Sequence, residues 1–130
     1  MSFQQIPGLY YGPSARHGRG VFCARDISAG DVVEIAPVLV FPDLDQEEIR
    51  DTTFYEYYFL WGSPARQIAI ALGYGSLYNH SANPNMETIQ DVAERTVVFT
   101  ACRDVMAGEE LTIDYREGLD GEPLWFESSE

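Results

Sequence analysis

A chain of 130 residues, 45% hydrophobic and 22% charged, has enough apolar material for one domain core and too little for two. Its 21 acidic residues against 8 basic ones give a net charge of −13, which argues against direct nucleic-acid binding and would steer a cationic partner toward it. "MSFQQIPGLYYGPSARHGRG" at the N-terminus has no apolar signal region, and no run reaches membrane-spanning length, so the reading is cytoplasmic, intracellular and without a membrane partner.

The chain then reads as short strands joined by turns. "LYYG" (9–12) and "GVFCA" (20–24) come first, followed by a turn at "SAGD" and by "VVEI" (32–35) and "VLVF" (38–41). Pro37 between the last two predicts a strand end or a bulge, because proline cannot donate to a ladder. Asp45 with Glu48 three residues on resembles a capping box, so one short helix is expected there. "RQIAIAL" (66–72) is continuously apolar, as a strand covered on both faces would be. Residues 76–80 offer a turn of helix, and "RTVVFTA" (95–101) and "ELTIDY" (110–115) complete a mostly β domain. An internal echo stands out: "RDISAGDVVEI" (25–35) and "RDVMAGEELTI" (103–113) each read as strand, Ala-Gly turn, strand, which suggests two related β-units on one core.

Several stretches carry chemistry in principle. "HGRGVF" (17–22) sets two glycines around Arg19, which allows close backbone approach to a ligand or simply a turn. "FYEYYFLW" (54–61) packs six aromatics into eight residues, either as core or as a narrow slot for an amine. "SLYNHSANPN" (76–85) has turn-forming asparagines and a proline, yet also a histidine where an apolar run surfaces. Cys23 and Cys102 lie in no metal-ligand spacing and read as small core residues, so no metal is expected. All eight bases are arginine, so no side-chain amine of this chain competes for an amine-directed site.

Taken in order, "GRGVF", "NHSANPN" and "GEELTIDY" resemble the SET domain, the fold of protein-lysine methyltransferases that use S-adenosylmethionine. The resemblance covers residues 8–126 of a single domain spanning 1–130, and is nearest to the small stand-alone SET proteins of bacteria and large viruses. It implies a β-clip-like fold of several short sheets with a C-terminal pseudoknot and few short helices. Gly18, Arg19 and Gly20 would hold the methionine end of the cofactor through backbone atoms, Asn79 its amino-acid moiety, and the His80 backbone its adenine. Tyr115 matches the tyrosine facing the transferring methyl. Tyr57 aligns best with the channel tyrosine, with a shift to Tyr55 or Tyr58 open; Tyr78 joins the substrate-binding set, and Trp125 or Phe126 would close the lysine channel from the acidic tail 117–130.

Ser76 stands where larger members carry arginine, and Ala82 where they carry a zinc-ligating cysteine, whose tail partners are absent too. Ile113 replaces a common phenylalanine tied to the number of methyls added, so the degree of methylation is open. The implied function is methyl transfer to a lysine of a basic protein, such as a histone, histone-like or ribosomal tail. The alternatives are a catalytically silent SET-like module that binds cofactor or basic peptides, and an unrelated acidic β-module. The aromatic stretch 54–61 could also serve a homodimer.

Overall fold

The computed structural model describes residues 4–62 and 67–115. Nine strands follow in chain order: β1 (Leu9–Pro13), β2 (Arg19–Cys23), β3 (Val32–Phe41), β4 (Tyr58–Trp61), β5 (Gln67–Ala71), β6 (Asn79–His80), β7 (Met86–Asp91), β8 (Thr96–Ala101) and β9 (Glu110–Ile113). One four-residue helix, α1 (Gln46–Ile49), and 3-10 turns at Thr53–Glu56 and Gly75–Leu77 are the only helical elements among the described residues. None is long and apolar enough to cross a membrane.

Two sheets result, one ordered β1-β2-β9-β6 and the other β4-β5-β3-β8-β7. The main core lies between them, where Val21, Cys23, Leu111 and Ile113 meet Val33, Ala36, Val97, Phe99 and Trp61. The apolar run of β5 is covered on both faces, as its sequence predicts. Ala69 and Ala71 join that core. Ile68 turns the other way, into a smaller cluster with Ile49 and Tyr58.

Pro37 does something other than end a strand. β3 runs straight through it, and the register shift lies earlier, between Val32 and Glu34. Residues up to Pro37 pair with β8, and residues from Val38 onward pair with β5. The missing N–H thus falls where the strand changes partner, while the Pro37 carbonyl accepts from Leu72 N at 2.8 Å. The five-stranded sheet also curls on itself. Gln90 of β7 accepts from Gly62 N (3.1 Å) and donates to Leu60 O (2.9 Å), so one side-chain amide links the two edges that no strand joins.

The internal echo is a local two-fold. Ile27 and Val105 exchange both backbone bonds at 2.8 Å. Asp104 caps Ala29 N and Asp26 caps Ala107 N, each at 2.8 Å. Gly30 and Gly108 occupy matching positive-φ positions, at 92° and 87°, and their N–H groups donate to Ala101 O and Cys23 O. The two turns therefore clamp each other, and the clamp fixes the start of β9.

Two local expectations need correction. Residues 76–80 are not one helical turn: the 3-10 turn ends at Leu77 and β6 begins at Asn79. Cys102 is exposed in the turn after β8, unlike the buried Cys23. β4 and β7 were not legible as strands, because aromatic crowding hides the first and mixed polarity the second. The Asp45 capping box does form, with Glu48 N donating to Asp45 Oδ1 at 2.9 Å and Asp45 N to Glu48 Oε1 at 3.1 Å.

Candidate active site

The Gly-Arg-Gly segment is held from three sides. Ser14 Oγ accepts from Arg16 N (2.9 Å) and His17 N (3.2 Å), and Ser14 N donates to Gly18 O at 3.0 Å, closing a tight loop. Asn79 Nδ2 donates to His17 O (3.0 Å), Arg19 O (3.1 Å) and Glu110 Oε2 (2.8 Å) from a buried position. The two glycines have different reasons to be glycine. Gly18 sits at φ 50° with open space where a side chain would project. At Gly20 a Cβ would lie 2.8 Å from Glu110 Cδ and closer still to Oε2, so that glycine makes room for a carboxylate. The Arg19 guanidinium lies over the Tyr11 ring, 5.4 Å from its centroid.

The Asn-His segment is placed by β9. β6 runs parallel to it, with Asn79 opposite Thr112 and His80 opposite Ile113, and Ser81 N extends the pairing to Ile113 O at 2.9 Å. The three asparagines of the loop divide the work. Asn79 serves the glycine segment. Asn83 N bonds Ser81 Oγ at 3.0 Å in a local turn. Asn85, 1% exposed, stitches the loop to β9 by accepting from Thr112 N (2.8 Å) and donating to Glu110 O (2.8 Å). The His80 ring accepts Tyr115 N at Nδ1, 3.1 Å, which puts its ring proton on Nε2. Asp114 Oδ1 lies 3.6 Å from the same Nδ1.

Tyr115 stands at the meeting of these segments. Its hydroxyl donates to Tyr78 O at 2.6 Å, and its ring lies 5.4 Å from the His80 ring. Burial pushes its phenol well above the ordinary range, and the charges of Tyr57, Glu110 and Glu56 push it further, so it works as a neutral donor. Tyr57 is the member of the aromatic run whose phenol lies close enough to Tyr115 to add to that rise. Tyr55 and Tyr58 pack on the smaller cluster instead, their rings 5.7 Å apart. Gln46 Nε2 donates to Tyr58 Oη, and burial pushes that phenol up to about 12.

Tyr78 lies differently from its expected place in the substrate set. Its ring is 1% exposed against Phe99, and its hydroxyl donates to Glu34 Oε1 at 2.6 Å. It reaches the site through its carbonyl alone. Trp125 and Phe126 lie outside the described residues. Sequence reasoning missed Glu110, Ser14 and the buried Glu34, none of which sits in a spacing that betrays its partners. It also missed His17 Nε2 against Glu56 Oε1, 2.7 Å apart, which ties the glycine loop to the turn before Tyr57.

Comparison with known proteins decides the family. The sequence profile of the SET domain matches residues 18–116. The chain belongs to the SET-domain family. A histone-lysine N-methyltransferase of Schizosaccharomyces pombe, specific for H3 lysine-37, is 37% identical over 113 residues, covering 86% of this chain and 72% of that protein. Human histone-lysine N-methyltransferase 2B is 31% identical over 123 residues, which are 87% of this SET chain but 4% of the human protein. In three dimensions a candidate histone methyltransferase of Plasmodium falciparum matches with a TM-score of 0.69 and 27% identity, covering 95% of this chain and all of that one.

The residues present fit S-adenosylmethionine. Carbonyls pre-oriented by Asn79, the open side of Gly18 and a nearby carboxylate suit a ligand carrying an ammonium and a sulfonium. Among the described residues no group of three or more His, Cys, Asp or Glu side chains is placed to hold a metal.

Proposed function

We propose that this SET domain is a protein-lysine N-methyltransferase acting on a basic protein, with S-adenosylmethionine as cofactor. The observation that carries the reading is the convergence on one place of the glycine segment held by Asn79 and the Tyr115 hydroxyl held by Tyr78 O. In this reading Gly18, Arg19, Gly20, Asn79 and His80 hold the cofactor, Tyr57 lines the lysine channel, and the tail 117–130 closes it with Trp125 or Phe126. The whole chain acts as one domain.

Held by Gly18, Arg19, Gly20, Asn79 and His80, the cofactor would supply a methyl group on a sulfonium for the lysine nitrogen, with a thioether as the leaving group. The chain must then deliver a neutral amine. At neutral pH only about one lysine side chain in a few thousand is uncharged. A channel walled by Tyr57 and Tyr115 disfavours the ammonium by removing water, and the proton leaves to solvent before transfer. Tyr115 orients the reacting groups with a hydroxyl already fixed by Tyr78 O, so alignment supplies the main rate gain.

The substrate class follows from charge. Asp43, Asp45, Glu47, Glu48 and Asp51 are exposed on and around α1, shortly before Tyr57. The Schizosaccharomyces pombe relative is named for a lysine of histone H3, and a tail of that basic kind suits an acidic entrance. The test is transfer of labelled methyl to histones and to histone-like and ribosomal proteins, with Tyr115→Phe as control. Labelling of lysine by the wild type and its loss in the variant support the reading. A folded wild type that binds the cofactor and labels no basic protein overturns the substrate class.

A further inference from the structure

Glu110 opens β9 and holds its carboxylate half-buried against the glycine segment. Its described hydrogen-bond partners are neutral: Ser14 Oγ at 2.7 and 3.0 Å and Asn79 Nδ2 at 2.8 Å. Among the described residues no arginine or histidine is within ion-pair distance of it. Gly20 lacks a side chain where this carboxylate sits, so the motif glycine and the acid are built for each other. A carboxylate whose hydrogen-bond donors are neutral has no countercharge beside it, and a half-buried position screens it less than open water does. The carboxylate also lies near enough to Tyr115 to raise its phenol.

We propose that Glu110 is the counter-charge of the cofactor site, biasing it toward the cationic sulfonium cofactor and against the uncharged thioether that the reaction leaves behind. This inference rests on the S-adenosylmethionine reading given above. Cofactor and product share the nucleoside and the amino acid and differ by one methyl and one positive charge at sulfur. Hydrogen bonds to the shared parts cannot tell them apart by charge, whereas a fixed carboxylate can. The site would thereby favour release of product over its retention. Ser14 and Asn79 are then positioning residues, aiming the carboxylate toward the loop.

The test is calorimetric binding of S-adenosylmethionine and of S-adenosylhomocysteine to the full chain and to Glu110→Gln. The amide keeps shape and one acceptor but removes the charge. Sulfonium binding is expected to weaken by roughly fivefold to tenfold, while thioether binding changes less than about twofold. Ser14→Lys offers a second route, placing a cation against the intact carboxylate, and is expected to narrow the preference in the same direction. It decides the matter alone if Glu110→Gln does not fold. Equal weakening of both ligands, or an unchanged ratio in both variants, overturns the counter-charge. A wild type that binds the two equally overturns this inference and leaves the cofactor reading standing. A wild type that binds neither overturns both.

Discussion

Replacing Asn79 with alanine tests how the site is held together. The Nδ2 group offers two hydrogens to three acceptors, His17 O, Arg19 O and Glu110 Oε2, so one hydrogen is shared. One bond goes to a charged carboxylate and is worth about 1.5–3 kcal/mol, and one to neutral carbonyls is worth about 0.5–1.5 kcal/mol. Asn79 is 5% exposed, so water cannot readily replace it. The variant should lose about 2–4 kcal/mol of stability, a fall in Tm on the order of 10 °C for a domain of this size. Thermal unfolding measures that loss, and calorimetry with S-adenosylmethionine, done well below both transitions, measures the site. Asn85→Ala is the comparison, because it breaks three side-chain bonds to β9, at Glu110 O, Thr112 N and Thr112 Oγ1, without touching the glycine carbonyls. Asn79→Ala should lose cofactor binding more than tenfold while Asn85→Ala loses less at similar instability. Equal binding loss in the two would refute a specific role for Asn79. A Tm drop below about 2 °C would show that the Ser14 turn alone shapes the loop.

Four further outcomes follow from the same geometry. Tyr115→Phe should abolish most methyl transfer yet bind cofactor nearly as well, since it removes the hydroxyl bonded to Tyr78 O and keeps the ring; full turnover by the folded variant would remove Tyr115 from the chemistry. Gly20→Ala drives a Cβ into Glu110 and should cost about 2 kcal/mol, whereas Gly18→Ala meets open space and should cost only about 1 kcal/mol of backbone strain, as denaturant titration can show. Tyr58, Tyr78 and Tyr115 have phenols raised by burial, so the unfolded chain ionises them first, near the ordinary pKa of about 10. Their contribution is whole below that pH and is lost as pH rises through about 12, the value for Tyr58, and a phenolate absorbance titration should show three of the eight tyrosines lagging until the fold opens. KM for a basic protein should rise steeply with salt, and a salt-insensitive KM would rule out steering by the acidic entrance.

What was legible in the sequence was the part carried by local order. The Asp45–Glu48 box, the two-faced run of β5 and the ordered motifs each declare themselves within a dozen residues. The rest depends on pairs that are far apart along the chain. Glu110 and Ser14 meet across 96 positions, and Tyr78 and Glu34 across 44, so no spacing links them. Tyr57 could not be told from Tyr55 and Tyr58 because the segment changes from a 3-10 turn to a strand at that point, which breaks any single alternation. Tyr78 misled for a similar reason. It follows a 3-10 turn in extended conformation, which sends its ring into the core and its carbonyl toward Tyr115.

The echo shows how one such distant pair is made dependable. Its two Ala-Gly turns bond each other at Ile27 and Val105, and the second turn ends at Glu109. The next residue is Glu110. β9 pairs with β2 through Leu111 opposite Val21 and Glu110 opposite Phe22, so a slip of one residue would turn the Glu110 carboxylate away from Gly20. Gly108 N bonded to Cys23 O resists that slip from the turn side, and Asn85 resists it from the loop side. A clamp far from any ligand thereby fixes the register that brings a carboxylate, an asparagine and Tyr115 to one place. The similarity of the two turns is thus read most directly as a register device.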